Sequence, residues 1–336
     1  MTAKRMDRRE ALSILGASSY SLVAQQAISP PSAAPAFEIS RESLKSFTKE
    51  GQDVFLDILN SRDFRGEIPA AKLEQLQISE RKTADEVMLG LLPVAQMFAK
   101  PPISNFRVGA VIRGSNGNLY LGANLEIPGQ ALSFTVHAEQ AASSNAYMHG
   151  AEGITAIALT AAPCGHCRQF LEELAPGGEL RVIVRGSEPI HLKSLLPSAF
   201  GPSDLGLKQG ALPIKRVEIA LIDRVPDPLA GAAVSAARIS YAPYTKAHSG
   251  VAMMLSDGSV HSGTYMENAA FNPSLPPLQV AFISALNARK ALEQIEDVVL
   301  VELDTAVISQ YPVFEAVIRS FSPKARVRRA VGRKTS

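Results

Sequence analysis

Disulfides, a surplus of charge and an unbroken apolar span are all missing from this sequence. Its 336 residues include only two cysteines, Cys164 and Cys167. No second pair is left over for a cross-linked framework, so the compartment cannot be read from disulfides. Thirty-four basic side chains face 32 acidic ones, for a net charge of +2. That balance gives no reason to expect a polyanionic partner such as nucleic acid. The most apolar early stretch, Leu12 to Ile28, is broken by Ser13, Ser18, Ser19, Ser21, Gln25 and Gln26. It is too interrupted to span a bilayer, and no membrane role is expected. Apolar residues make up 46% of the chain and charged residues 20%, as in an ordinary globular protein, and the length accommodates two domains.

The first 36 residues differ from the rest. Arg8-Arg9 precedes the diluted apolar run, and Ala34-Pro35-Ala36 offers a small-x-small site. This is the outline of an export leader; a disordered extension is the alternative. The expected location is the cytosol, with export through the twin-arginine-like leader as the second option. At the other end, the short basic stretch from Lys324 to Lys334 is expected to fray in solvent.

Both cysteines lie in Pro163-Cys164-Gly165-His166-Cys167-Arg168-Gln169-Phe170, and Thr135-Val136-His137-Ala138-Glu139-Gln140 stands upstream. Cysteines at i and i+3 beside a helix start aim two sulfurs at one point. A redox dithiol or half of a structural zinc site would also use Cys-x-x-Cys. A closed structural site needs two more ligands, and no further cysteine exists; His166 is a fourth ligand or a loop residue. A redox dithiol would need neither His137-Ala138-Glu139 nor the preceding proline. Three ligands, His137, Cys164 and Cys167, leave a fourth tetrahedral position open for water, the arrangement of a catalytic rather than a structural zinc. Glu139 then lies near the metal without binding it. His-x-Glu followed by Pro-Cys-x-x-Cys is the signature of zinc-dependent nucleobase and nucleoside deaminases.

From Phe37 to Leu92 the pattern is helical, with Leu44, Phe47, Val54, Phe55, Ile58 and Leu59 on one face. Ser79 is expected to cap a helix ending near Leu92-Pro93. Phe106 to Ile112 and Leu119 to Glu126 read as two strands joined at Asn116-Gly117, a hairpin turn. A helix from His137 to Met148, a strand from Gly153 to Thr160, a helix from Arg168 to Leu174 and a strand from Leu180 to Val184 follow. The two helices start at one end of the sheet, which gathers the ligands, and helix N-termini favour thiolates. A short helix and loop span His191 to Pro202, and Leu221 to Ala230 reads as a linker.

The second half repeats the first. Ser249 to Met254, the turn Ser256-Asp257-Gly258, and His261 to Asn268 mirror the earlier hairpin. Where a second His-x-Glu would stand there is Leu275-Pro276-Pro277-Leu278, with no Cys-x-x-Cys after it. A duplicated core with one copy devoid of metal chemistry is the simplest reading. The expected organisation is residues 1–36 as leader or extension, 37–100 as a helical segment, 101–225 as the catalytic domain and 226–336 as a degenerate second copy. The fold class is α/β, a duplicated mixed sheet with helices on both faces. His149, His191, His248 and His261 show no partner pattern and read as surface or core residues.

His-Ala-Glu-Gln, Pro-Cys-Gly-His-Cys-Arg-Gln-Phe, Gly-Ala-Asn-x-Glu and Glu-Asn-Ala-Ala-Phe-Asn-Pro together resemble cytidine deaminase, in its longer two-copy homodimeric class, from about Phe37 to Val307. The resemblance implies a three-layer fold, a homodimer, one zinc per chain held by His137, Cys164 and Cys167, and a proton shuttle at Glu139. It further implies that Asn124, Leu125 and Glu126 bind the nucleoside, the two polar ones through ribose hydroxyls. Phe106 would line the pyrimidine pocket, and Phe200 would reach the neighbouring subunit's site. Ala161-Ala162 departs from the larger or hydroxylated residues common there. The implied reaction is hydrolytic deamination of cytidine and 2'-deoxycytidine in pyrimidine salvage, on a small-molecule nucleoside. A polynucleotide deaminase would want a basic, aromatic groove. A zinc-stabilised scaffold would have no use for Glu139 beside an open metal position.

Overall fold

The computed structural model describes residues 37–222 and 227–335. The leader expected at residues 1–36 lies outside the described residues. The chain opens with α1 (Lys49–Leu59), the short β1 (Glu67–Ile68), α2 (Ala70–Glu80) and α3 (Ala84–Met97). Next come β2 (Gly109–Gly114), β3 (Leu119–Ala123), α4 (Ala138–Met148), β4 (Ile154–Leu159), α5 (Gly165–Leu174), β5 (Arg181–Val184), β6 (Ile190–His191) and α6 (Leu192–Leu195). The remainder is β7 (Ile219–Leu221), α7 (Pro228–Arg238), β8 (Ser249–Leu255), β9 (Val260–Thr264), α8 (Pro277–Asn287), β10 (Ile295–Leu303), α9 (Tyr311–Phe321) and β11 (Arg326–Lys334).

Two mixed sheets result, in the orders β1-β3-β2-β4-β5-β6 and β7-β11-β10-β8-β9. In each, a hairpin (β2–β3, β8–β9) is followed by a strand antiparallel to its first arm, and the next strand runs parallel to that one. The helices repeat as well: α3, α4 and α5 answer to α7, α8 and α9. Strand side chains alternate between faces. Val111, Leu121 and Ala158 therefore pack under α1 to α3, whereas Ala110, Ile112, Ile157 and Leu159 face α4 and α5. In the second sheet Val251, Met253, Val298 and Leu300 face α8 and α9, and Ala252, Val299 and Val301 face α7. The inner faces share one core, so the layers run helices, sheet, a joint middle layer of helices, sheet, helix. Each copy is thus the expected three-layer sandwich.

Close contact of helix and hairpin needs a missing side chain in both copies. A Cβ at Gly122 would lie 2.1 Å from Ala142 N on α4, and one at Gly263 would lie 2.2 Å from Ala281 N on α8. The helix carrying the first ligand is seated on β3 by that contact.

Several local expectations shift. Thr83, not Ser79, caps α3: Glu86 N donates to Thr83 Oγ1 at 3.3 Å and Thr83 N donates to Glu86 Oε2 at 2.7 Å, a reciprocal pair. The helix also passes through Pro93 to Met97. Leu91, Leu92, Val94 and Ala95 are all buried, and their packing outweighs the hydrogen bond that proline removes. Phe106 precedes β2 rather than opening it. The stretch read as a linker holds the end of β7 and the start of α7, where Asp227 accepts from Leu229 N and Ala230 N. The basic C-terminal stretch is strand β11, paired with β10 from Arg326 to Gly332 and with β7 from Gly332 to Lys334. No helix among the described residues is long and apolar enough to cross a membrane.

Candidate active site

His137 is the N-cap of α4 and Cys164 the N-cap of α5, while Cys167 lies in the first turn of α5. Two parallel accidents of register therefore bring one imidazole and two sulfurs to the same end of the sheet. His137 Nδ1 is 3.6 Å from Cys164 Sγ and 3.3 Å from Cys167 Sγ, and the sulfurs are 3.6 Å apart. Tetrahedral zinc, with Zn–S near 2.3 Å and Zn–N near 2.0–2.1 Å, sets sulfur–sulfur at roughly 3.8 Å and nitrogen–sulfur at roughly 3.6 Å. The three atoms fit that ion. Among the described residues no fourth His, Cys, Asp or Glu joins the group. The His166 ring stands 5.7 Å from that of His137, centroid to centroid, and stays outside it.

Neighbouring groups hold the ligand loops. Arg168 Nε donates to Pro163 O at 2.9 Å and its Nη1 donates to Leu195 O at 2.9 Å, which pins the Pro163-Cys164 turn. Gln140 accepts from His137 N at 3.2 Å and donates to Pro273 O at 3.1 Å, tying the start of α4 to the second copy. Two sulfurs this close do not ionise independently. The hydrogen bond with Cys167 is the main influence drawing Cys164 down, to about 4, and the same contact, with burial, pushes Cys167 up.

Glu139 follows His137 by two residues and is 4% exposed. Burial raises its pKa; its own backbone N–H, Cys167 and His137 act against that. A cavity of about 300 Å³ opens over the group. His137, Glu139, Cys164, Asn124, Glu126 and Phe106 all line it, so most of the residues singled out by sequence meet in one place.

Two do not. Leu125 is fully buried in the core, and its backbone N and O are both spent on Val136 at 2.9 Å, so it gives the cavity neither side chain nor hydrogen bond. Phe200 is 47% exposed and is not part of the cavity wall.

The polar pair at the end of β3 is already engaged. Asn124 Nδ2 donates to Phe106 O at 2.9 Å and its Oδ1 accepts from Val108 N at 2.9 Å. One N–H and one lone pair of the amide remain. Glu126 accepts from Ile103 N at 2.8 Å, Ser104 N at 2.9 Å and Ser104 Oγ at 2.5 Å. Burial pushes that carboxyl up, but these hydrogen bonds outweigh it and leave it below its ordinary value. Ser104 Oγ in turn accepts from Phe106 N at 3.0 Å, which sets the phenyl at the cavity mouth. The second copy keeps the same clasp: Glu267 accepts from Tyr244 N at 2.9 Å, Thr245 N at 3.3 Å and Thr245 Oγ1, which itself accepts from Ala247 N. The sequence reading gives Ser104 no role; the signal that points to it is its match to Thr245 across the two repeats.

In the second copy Leu275 pairs with Met266 as Val136 pairs with Leu125. That register sets Pro276 opposite His137 and Leu278 opposite Glu139. Gln310 caps α9 where Cys164 caps α5. The geometry persists there without the donors.

Comparison with known proteins agrees. The pattern of the cytidine and deoxycytidylate deaminase zinc-binding region matches residues 81–180 and again 192–314. The cytidine deaminase of Shewanella pealeana is 41% identical over 268 residues, covering 79% of this chain and 90% of that protein. That of Vibrio parahaemolyticus is 42% identical over 266 residues, with the same coverage. A solved cytidine deaminase from Mycobacterium tuberculosis is 31% identical, over 36% of this chain and 99% of that one, with a TM-score of 0.33.

Proposed function

The chain belongs to the cytidine deaminase family and is a zinc-dependent enzyme, and on that footing we propose that it hydrolyses cytidine and 2'-deoxycytidine to uridine and 2'-deoxyuridine, releasing ammonia, as a step of pyrimidine salvage. The observation that carries this reading is the convergence of His137, Cys164 and Cys167 at zinc-like spacing with a buried carboxyl, Glu139, on the wall of the same cavity. One zinc per chain would be held by those three side chains. Zinc bound there supplies a Lewis acid that makes water a nucleophile near neutral pH. Glu139 would accept one proton of the attacking water and pass it to ring N3, then take the second from the new C4 hydroxyl and deliver it to the departing amine. Its burial keeps competing solvent away, and its raised pKa brings it nearer the range in which a carboxyl both accepts and returns a proton.

Phe106 walls the pyrimidine, and Asn124 and Glu126 receive the ribose with the hydrogen-bonding capacity the loop clasp leaves over. Phe200, exposed and off its own chain's cavity wall, would serve the site of a second copy in the proposed homodimer. The proposed setting is the cytosol, with the second copy and the nucleoside as its partners.

The direct test follows the loss of cytidine absorbance on adding purified protein. Turnover should vanish after dialysis against a zinc chelator and return with added zinc; cytidine untouched by the zinc-loaded protein would end the proposal. The ribose role separates from the clasp by two variants. Ser104→Ala removes the side-chain bond of the clasp but spares the carboxylate, and should raise KM while keeping selectivity for cytidine over free cytosine. Glu126→Ala should lose that selectivity by roughly tenfold or more, the worth of one charge-assisted hydrogen bond. Equal selectivity in both variants would show that Glu126 serves the loop alone.

A further inference from the structure

A second cavity, of about 300 Å³, lies between the segment 207–217 and the second copy, away from the metal group. Lys208, Lys215, Lys246 and Lys334 all line it, and no carboxylate does. Among the described residues none of the four forms an ion pair. In a chain whose charges nearly cancel, 34 basic against 32 acidic, four ammonium groups around one small cavity are a local concentration of positive charge. Like charges held together are unfavourable unless something negative is shared among them.

The inner end of the cavity is polar. His248 lines it and is 8% exposed. Its Nδ1 lies 2.8 Å from Ser240 Oγ, which is also 2.7 Å from Ala237 O. Nε2 makes no hydrogen bond among the described residues. Ser240 Oγ donates to Ala237 O, so the ring proton of His248 lies on Nδ1 and is donated to Ser240 Oγ. Tyr241, Pro213 and Pro243 supply flat apolar wall beside the lysines.

We propose that this cavity is a binding site for a small phosphate anion of two or more charges, free pyrophosphate or the phosphate tail of a nucleotide, held by the four lysines, with His248 closing the wall behind them. Ammonium groups hold phosphate as point charges on flexible stems, so the fit tolerates either source. The site is separate from the deaminase chemistry, and its occupation needs no change in turnover.

Isothermal titration of the intact zinc-loaded protein with inorganic pyrophosphate, and separately with ATP, tests this. Both should bind at one site per chain, with affinity falling as salt rises. Lys246→Gln with Lys334→Gln should weaken binding by roughly a hundredfold, about tenfold for each lost charge-assisted contact. Turnover of cytidine by the lysine variants should match the parent, which shows that they are folded. ATP tighter than pyrophosphate assigns the apolar wall to a base; equal affinity assigns the site to phosphate alone. Heat that persists unchanged in the double lysine variant is withdrawal of zinc or another site, and it overturns the proposal, as does the absence of binding by the parent.

Discussion

Glu139→Gln should bind zinc as the parent does and turn over cytidine at least about 10²-fold, and up to about 10⁴-fold, more slowly, the range a positioned general acid–base supplies. The side chain is nearly the same shape, so the packing around this 4%-exposed position survives. His137, Cys164 and Cys167 are untouched and their mutual spacing is set by the starts of α4 and α5. What goes is the capacity to take up a proton: an amide neither accepts one from water nor gives one to the amine. The loss belongs to kcat rather than KM, because the proton moves only on the way to the transition state. Folding should be neutral or slightly improved, since burying an amide costs less than burying a carboxylate. Zinc content by atomic emission, thermal unfolding and steady-state kinetics together check this. A zinc-loaded variant within about tenfold of the parent would take the proton shuttle away from Glu139.

Chemistry of this kind was legible because it rests on residue types that sequence shows directly. Two cysteines at i and i+3, one histidine and a carboxyl two residues on have few joint uses, and their helices begin where N-caps are expected. The duplication was legible for a related reason. Glycines 122 and 263 and the Asn-Gly and Asp-Gly turns mark the same hairpin twice, and that hairpin is where backbones approach most closely. Harder to see was whatever depends on a partner distant in sequence. Proline 93 reads as a helix stop until the sheet beneath it buries Leu92 and Val94. Leu125, between two polar residues, reads as part of the binding strand, but an isolated pairing with Val136 turns it into the core. Thr83-x-x-Glu86 and Asp227-Pro228 were visible cap signals, lost to the stronger-looking Ser79 and to the linker-like run of Pro and Asp around them. The cationic cavity had no sequence signature, since Lys208, Lys215, Lys246 and Lys334 are spread over more than a hundred residues.

A chain ended at Ser322 should fail to fold cooperatively, although the segment removed looks like a charged tail. In the structure β11 sits between β7 and β10, so its loss leaves an open edge on β10 and strands β7 without a partner. Three of the segment's four arginines find a counter-charge elsewhere in the chain. Arg328 bonds Asp297 through two nitrogens at 2.9 Å and also bonds Asp227, the N-cap of α7; Arg329 meets the buried Glu302 at 2.8 Å, and Arg333 meets Asp304 at 2.7 Å. Removing the strand leaves a buried carboxylate unpaired and bares Val299 and Val301, and Glu302 alone becomes a costly group. A fraying tail would instead leave the melting temperature where it was, and that result would refute the pairing. Arg328→Met gives the graded version: about 1–3 kcal/mol lost, less than for a fully buried pair because the guanidinium is about a quarter exposed. The Arg328 hydrogen bond is the main influence holding the Asp227 carboxyl below its ordinary range. A carboxyl with a lowered folded-state pKa contributes its full share above the unfolded value of about 4 and loses it as the pH falls through the lowered one. The gap in melting temperature between parent and Arg328→Met should therefore be widest near neutral pH and close on the acid side; a gap independent of pH would mean that the arginine contributes by packing its stem rather than through its charge.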